Sequence, residues 1–245
     1  MVQTPTSAVS ARGLTKAYGP LTALQDFSLE VPAGEIIALV GPNGAGKTTA
    51  LTMLVGLLAP TSGEARIAGF DVRRQAVEAR RIMAFLPDQP FLYEQLTVWE
   101  ILGFVGGLYR LEASVLRRRA QQLLELFGLS DATHRRIGTL SFGMKSRLVL
   151  VASLLHEPRV LIMDEPFFGL DPQTLRLIKQ LLQEQARAGM AVVLSTHQLT
   201  VVEDLAHRIA ILGHGRLLAL GTLDDLKRSH GGQRLEELFF RLTSS

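Results

Sequence analysis

The rhythm of apolar and polar positions changes several times along the chain. "VSARGLTKAYG" and "TALQDFSLEVPAGE" alternate apolar and polar residues, with turn signals at Gly19-Pro20 and Pro32-Ala33-Gly34, a pattern that predicts short antiparallel strands. "EIIALVG" (35–41) is a continuous apolar run closed by glycine, as expected of a parallel strand buried on both faces. "TTALTMLVGLLAP" follows with helical spacing and a proline stop, and "GEARIAG" reads as another short strand between glycines. From about 94 to 157 the period becomes helical in "LTVWEILGFVGGLYRL", "SVLRRRAQQLLELFGL" and "MKSRLVLVASLLHEP". Strand-like runs return at "RVLIMD" (159–164), "MAVVLST" (190–196) and "RIAILGHGRLLALG" (208–221), with "QTLRLIKQLLQEQARAG" as a helix between the first two. This alternation predicts a mostly parallel α/β sheet with crossover helices. Residues 1–7 read as a loose polar tail.

Composition narrows the picture. The chain has 245 residues, 47% of them hydrophobic, which is ample for a sizeable core. Charged residues make up 20% with both signs mixed, and the formal net charge of +3 is no basic excess of the kind that argues for nucleic acid. The arginine runs Arg73-Arg74, Arg80-Arg81, Arg117 to Arg119 and Arg135-Arg136 are dispersed and read as solvated helix faces. With no cysteine, disulfides and thiolate metal sites are excluded. No segment has signal-peptide character, and the longest greasy run, "ALTMLVGLLA" (50–59), is too short for a bilayer span of about 20 residues. The expectation is a soluble protein, or one attached to a membrane through a partner.

The first candidate chemistry is "GPNGAGKTT" (41–49), which fits G-x-x-x-x-G-K-[ST] between an apolar strand and a helical segment. Gly41, Pro42, Asn43, Gly44, Ala45 and Gly46 would wrap the backbone around a phosphate, with N–H groups from all but Pro42, and Lys47 would neutralise the β- and γ-phosphates. Thr48 would offer its hydroxyl to Mg²⁺, with Thr49 beside it. A second signal is "VLIMDEP", where two acids follow four apolar residues. Taken alone, Asp164-Glu165-Pro166 would only cap the next turn. With a phosphate loop in the same chain, a strand lying beside the first would bring its carboxyl end to the same phosphates. Asp164 would then hold Mg²⁺, and Glu165 would orient and deprotonate an attacking water.

Four motifs, "GPNGAGKTT", "TLSFGMKSR", "LIMDEPFFGLDP" and "LSTH", in that order, resemble those of the ATP-binding cassette (ABC) ATPase family over nearly the whole chain. The resemblance implies a P-loop NTPase fold: a mostly parallel sheet flanked by helices, an N-terminal antiparallel β-subdomain and an inserted α-helical subdomain. It divides a cassette at 8–240 into a nucleotide-binding core (8–88 and 158–221), a helical subdomain (89–157) and a short C-terminal helical tail (222–245). It also implies that Tyr18 stacks on adenine, a contact worth ~1–3 kcal/mol by analogy with base stacking. Ser141 and the Gly143 backbone would contact the γ-phosphate bound by another copy, Asp171 would lie in a loop communicating between two sites, and His197 would contact γ-phosphate and help position water. Each ATP would therefore sit between two cassettes, in a homodimer or heterodimer.

Three departures from the family pattern stand out. Asp88, followed by Gln89, replaces the usual glutamine after "IMAFLP"; it can only accept hydrogen bonds when ionised, but could hold Mg²⁺ through water. Phe142 and Met144 replace a common glycine and glutamine, and Phe167 and Phe168 replace small or polar residues before "GLDP". None removes Lys47, Asp164, Glu165 or His197, so the expectation is an active ATPase.

The family mostly powers transport through separate or fused membrane domains. "PFLYEQLTVWEIL" (90–102) follows Asp88 at the place where such cassettes receive a cytoplasmic helix of the membrane subunit; Phe91, Leu92 and Tyr93 are either that docking surface or core. The short C-terminus and the motif variants resemble ABC-2-type exporter cassettes, which implies export through a separate membrane subunit and a place on the cytoplasmic face of the cell membrane. Two alternatives stand beside this. A soluble ABC ATPase acting on a ribosome, DNA or a cytosolic assembly would share the ATP chemistry, whereas a small-molecule kinase would leave "LSFGM" and His197 unexplained.

Overall fold

The computed structural model describes residues 7–89, 91–229 and 231–243; of the polar tail expected at the N-terminus, residues 1–6 lie outside these. Its centre is β3 (Ile36–Val40), buried at all five positions because both faces are covered. Ile36, Ala38 and Val40 point into one core, Ile37 and Leu39 into another. The same period-2 division recurs in β7 (Val160–Asp164), β8 (Ala191–Ser195) and β9 (Arg208–Gly213), so these runs are apolar without alternation. With β6 (Met83–Leu86) and β10 (Arg216–Gly221) they form a sheet of order β10-β9-β3-β8-β7-β6. The neighbours from β9 to β6 pair in parallel, and β10 is antiparallel to β9.

One expectation is corrected here. The strand ending in Asp164 does not lie beside the strand that leads into the phosphate loop, because β8 separates them. Leu39 and Asp164 both register against Ser195, from opposite sides.

Over one face lies the antiparallel sheet β2-β1-β4-β5, built from β1 (Val9–Tyr18), β2 (Leu21–Val31), β4 (Ser62–Ile67) and β5 (Phe70–Asp71). α1 (Lys47–Leu54) is sandwiched there, with Ala50, Leu51, Met53 and Leu54 in the same core as Val9 and Phe27. α1 ends well before the proline stop. Gly56 takes φ 71°, and an added Cβ would lie 2.5 Å from the Val72 carbonyl oxygen, so a close tertiary approach ends the helix first. α2 (Ala76–Arg81) leads into β6 and buries Ala79 in this core.

The opposite face is covered by helices. The 3.6-residue periodicity predicts α3 (Val98–Leu108), α4 (Ala113–Leu126), α5 (Phe142–Leu154) and α6 (Pro172–Arg187) but not the short α7 (Leu199–Leu205), and α8 (Leu223–Ser229) and α9 (Leu235–Thr243) fall in the expected C-terminal helical tail. Local chemistry sets their starts. Thr97 and Glu100 form a reciprocal capping box on α3, Ser141 caps α5, and Asp171 caps α6 with Pro172 in its first turn. The long run 208–221 is two strands, reversed by His214 and Gly215 with φ of 48° and 72°.

Candidate nucleotide site

The phosphate loop joins the carboxyl end of β3 to the N-terminus of α1 and is held from both sides. A Cβ at Gly41 would lie 2.6 Å from the Leu212 carbonyl oxygen of β9, and one at Gly46 would lie 2.8 Å from the Ala23 carbonyl of β2. Gly46 also takes φ 99°, so its glycine is required twice over. The first turn of α1 carries no acid, so its N–H groups and the positive end of its dipole face the loop uncompensated. Lys47 is largely buried and donates from Nζ to the carbonyls of Gly41 at 2.7 Å and Pro42 at 3.1 Å. Burial pushes its pKa down from the usual lysine value, and the negative charges of Glu165 and Asp164 oppose that shift.

The acids meet this loop across β8. Asp164 is only 3% exposed. Its Oδ2 accepts the Thr48 hydroxyl at 2.7 Å, and its Oδ1 accepts a short hydrogen bond from the Ser195 hydroxyl. Glu165 takes φ 48°, the left-handed region, and its amide donates to Ser195 Oγ at 3.1 Å and the Ser195 carbonyl at 3.2 Å. Glu165 Oε2 lies 3.0 Å from His197 Nδ1. The residue that aims at the loop therefore starts from a sparsely populated backbone conformation and is held at both ends.

Asp164 and Glu165 line one open cleft of roughly 660 Å³, together with residues 43–49, Asp88, the tip of β2 from Leu21 to Ala23, and the His214-Gly215 turn; Ser195 is buried behind this lining, and His197 lies outside it and reaches the cleft through Glu165. Gly41 and Pro42 lie behind that lining and hold Lys47. Among the described residues no three His, Cys, Asp or Glu side chains gather as a metal cluster. The cleft instead offers the oxygens of Thr48, Asp164 and Asp88, a hard donor set with two carboxylates. That suits Mg²⁺, which keeps several waters and takes few protein ligands.

Other predicted residues lie outside this lining. Tyr18 ends β1, is 51% exposed, and has Lys16 Nζ 4.9 Å from its ring centroid. Ser141 accepts from the Met144 amide at 3.3 Å as the cap of α5, and a Cβ at Gly143 would meet no atom within 4 Å. Asp171 accepts from the Thr174 hydroxyl at 2.7 Å and from the Gln173 and Thr174 amides at 3.0 and 2.9 Å. The Thr174 hydroxyl and amide hold its carboxyl below the usual carboxylate range. Within one chain, then, Ser141, Gly143 and Asp171 are turned to their own helices. Sequence reasoning missed Ser195 and the His214-Gly215 turn. A serine closing the otherwise apolar "AVVLS" was the available signal for the first; a hairpin hidden inside an apolar run gave little for the second.

A family model for the ABC transporter matches residues 24–168, and the chain belongs to that family: it is an ATP-binding cassette that hydrolyses ATP. It is 36% identical to the linearmycin resistance ATP-binding protein LnrL of Bacillus subtilis, over 94% of this chain and 74% of that protein. It is 39% identical to the daunorubicin/doxorubicin resistance ATP-binding protein DrrA of Streptomyces peucetius, over 94% and 70%. A solved structure of an ATP-binding subunit of an ABC transporter superposes with a TM-score of 0.92 at 36% identity, covering 96% of this chain and 99% of that one. The P-loop NTPase fold read from the four motifs is therefore the fold of the chain.

Proposed function

We propose that the chain works as one of two cassettes on the cytoplasmic face of a membrane and powers export through a separate membrane-spanning subunit. LnrL and DrrA are named for linearmycin resistance and daunorubicin/doxorubicin resistance, which supports outward movement. Among the described residues no helix is long and apolar enough to cross a membrane, so the pathway would come from another chain or segment. The observation that carries the docking part is an aromatic strip. Phe91 is 84% exposed and packs edge-on to Tyr93 at 5.5 Å, which packs edge-on to Phe104 of α3 at 6.0 Å. Leu92 turns inward against the helical core while its neighbours stay outside. Three solvated rings in contact are costly unless something covers them. The strip also begins three residues after Asp88, so a docked helix would sit on the segment that reaches the cleft.

In this reading adenine stacks on the half-exposed ring of Tyr18, and the phosphates lie along the amides of residues 43–49 with Lys47 against the terminal groups. Thr48, Asp164 and Asp88 would hold Mg²⁺, which when bound neutralises charge on the phosphate oxygens. Glu165 takes the proton of the attacking water, and His197, at 3.0 Å from Oε2, keeps that carboxylate turned toward the γ-phosphate. Ser141 and Gly143 of the second cassette would complete the site, so closure of two cassettes assembles it and hydrolysis releases them.

The test is to tag the Glu165→Gln chain in its native cell, solubilise membranes in mild detergent with ATP, and identify what co-purifies. A multi-span membrane protein in stoichiometric amount is expected. Recovery with ribosomes, nucleic acid or a cytosolic complex would overturn the transport reading and leave the ATP chemistry standing.

A further inference from the structure

We propose that Ser195 is a positioning residue for ATP hydrolysis, one hydroxyl that fixes both Asp164 and Glu165. The inference rests on the roles proposed above for those two acids. Ser195 closes β8, the strand that lies between the one carrying the phosphate loop and the one ending in Asp164. It is fully buried, in register with Leu39 on one side and Asp164 on the other.

A serine hydroxyl has one proton and two lone pairs. Here the proton goes to Asp164 Oδ1, and a lone pair accepts the Glu165 amide at 3.1 Å. The Ser195 carbonyl accepts the same amide at 3.2 Å. Both acceptors of that amide therefore belong to Ser195, and they hold Glu165 at φ 48°, a conformation that a side-chain-bearing residue seldom adopts unless its surroundings impose it. The direction in which the Glu165 side chain leaves the backbone, and so its reach to His197, follows from this anchor.

Asp164 has a second hydroxyl donor, Thr48 at 2.7 Å, but the two donors differ. Thr48 lines the cleft, where its oxygen is free to turn to a metal. Ser195 has no solvent face and no such choice. With a cation in the cleft, Ser195 is the hydroxyl that still holds the carboxylate in place. A serine that merely satisfied a strand end would need only one of these two bonds.

The test uses Ser195→Ala in the full chain, with Ser195→Cys as a second variant that leaves no cavity but donates weakly. Steady-state hydrolysis should show kcat reduced tenfold or more with KM for ATP within twofold of wild type. Metal-free, nucleotide-free protein should show faster hydrogen exchange in the peptide containing the Glu165 amide. In a Glu165→Gln background, Ser195→Ala should cost less than it does in wild type, because the part that acts through Glu165 is already lost and only the part through Asp164 remains; an undiminished cost would break the link to Glu165. A folded Ser195→Ala or Ser195→Cys with kcat within twofold of wild type overturns the proposal. So does a loss of kcat matched by an equal rise in KM, which is what general damage to the cleft produces. Failure of the underlying reading is distinct: Glu165→Gln itself would then retain turnover, whatever Ser195 does.

Discussion

Lys47 shows at the scale of one residue how the cleft trades stability for function. Its ammonium is taken largely out of water and rests on two loop carbonyls, and burial outweighs the pull of the nearby acids on its pKa. The folded pKa lies below the unfolded value, so between the two the unfolded chain binds more protons and stability rises with pH. Below both values the cost of the buried charge is fully present. Lys47→Met should therefore raise the thermal midpoint of the nucleotide-free protein near neutrality while abolishing ATP binding, and its stability advantage should shrink as pH climbs toward 10.5. A midpoint that falls in Lys47→Met at neutral pH would contradict the burial argument. Asp88 makes a separate prediction: if its carboxylate helps hold the metal, Asp88→Ala raises the Mg²⁺ concentration needed for half-maximal hydrolysis. An unchanged Mg²⁺ dependence would make Asp88 a structural residue. Lys47 and Thr48 were legible in a motif whose spacing is set by local backbone chemistry, Asp164 and Glu165 only because that motif gave two acids at a strand end something to face, and His197 only through the resemblance to the family. Ser195 was not, since its use depends on which strand lies between which, and strand order is not written in any one segment.

At the scale of elements, sequence periodicity found the buried strands and the longer helices over the second face, α3 to α6, because covering both faces of a sheet leaves an unbroken apolar run and covering one leaves a stripe; the seven-residue α7 is too short to show a stripe. It failed where a distant backbone decides. α1 ends at Leu54, just before Gly56 takes a left-handed conformation against Val72, and the run 208–221 folds back at His214-Gly215 because two adjacent residues adopt positive φ. A similar long-range contact links the start of α5 to the loop after Glu165. Gly169 has φ 69°, and a Cβ there would lie 2.7 Å from Cε1 of the Phe142 ring. Gly169→Ala should destabilise the protein through both the ring contact and the backbone. Phe142→Ala in the same chain should recover the first part only, leaving a residue of about 1 kcal/mol from the left-handed conformation. Additive losses in a denaturant double-mutant cycle would mean that ring and loop are not coupled.

Seen whole, the molecule places an ATP cleft where β3, β7 and β8 end, and keeps two other features away from it: the Ser141–Gly143 segment and the aromatic strip. Phe142, 61% exposed, stands beside the first of these. A chain working alone has little reason to leave such surfaces in water. Tyr93→Asp should reduce recovery of the membrane subunit by more than tenfold relative to its parent, with the thermal midpoint unmoved because the ring is half-exposed already. Undiminished recovery would move the docking surface elsewhere. That Phe91 and Tyr93 face outward could not be read from "PFLYEQL", where aromatic residues fit a core equally well; the sheltering of Leu92 between them shows the chain turning at that point.

The central claim is that Glu165, anchored beside the phosphate loop and bonded to His197, activates the water that hydrolyses ATP. It is tested most directly by measuring ATP affinity and single-turnover hydrolysis in purified wild type and Glu165→Gln. The account predicts ATP binding within severalfold of wild type and hydrolysis slower by ~10²–10⁴. Hydrolysis at near-normal rate by a Glu165→Gln chain that binds ATP normally would contradict it.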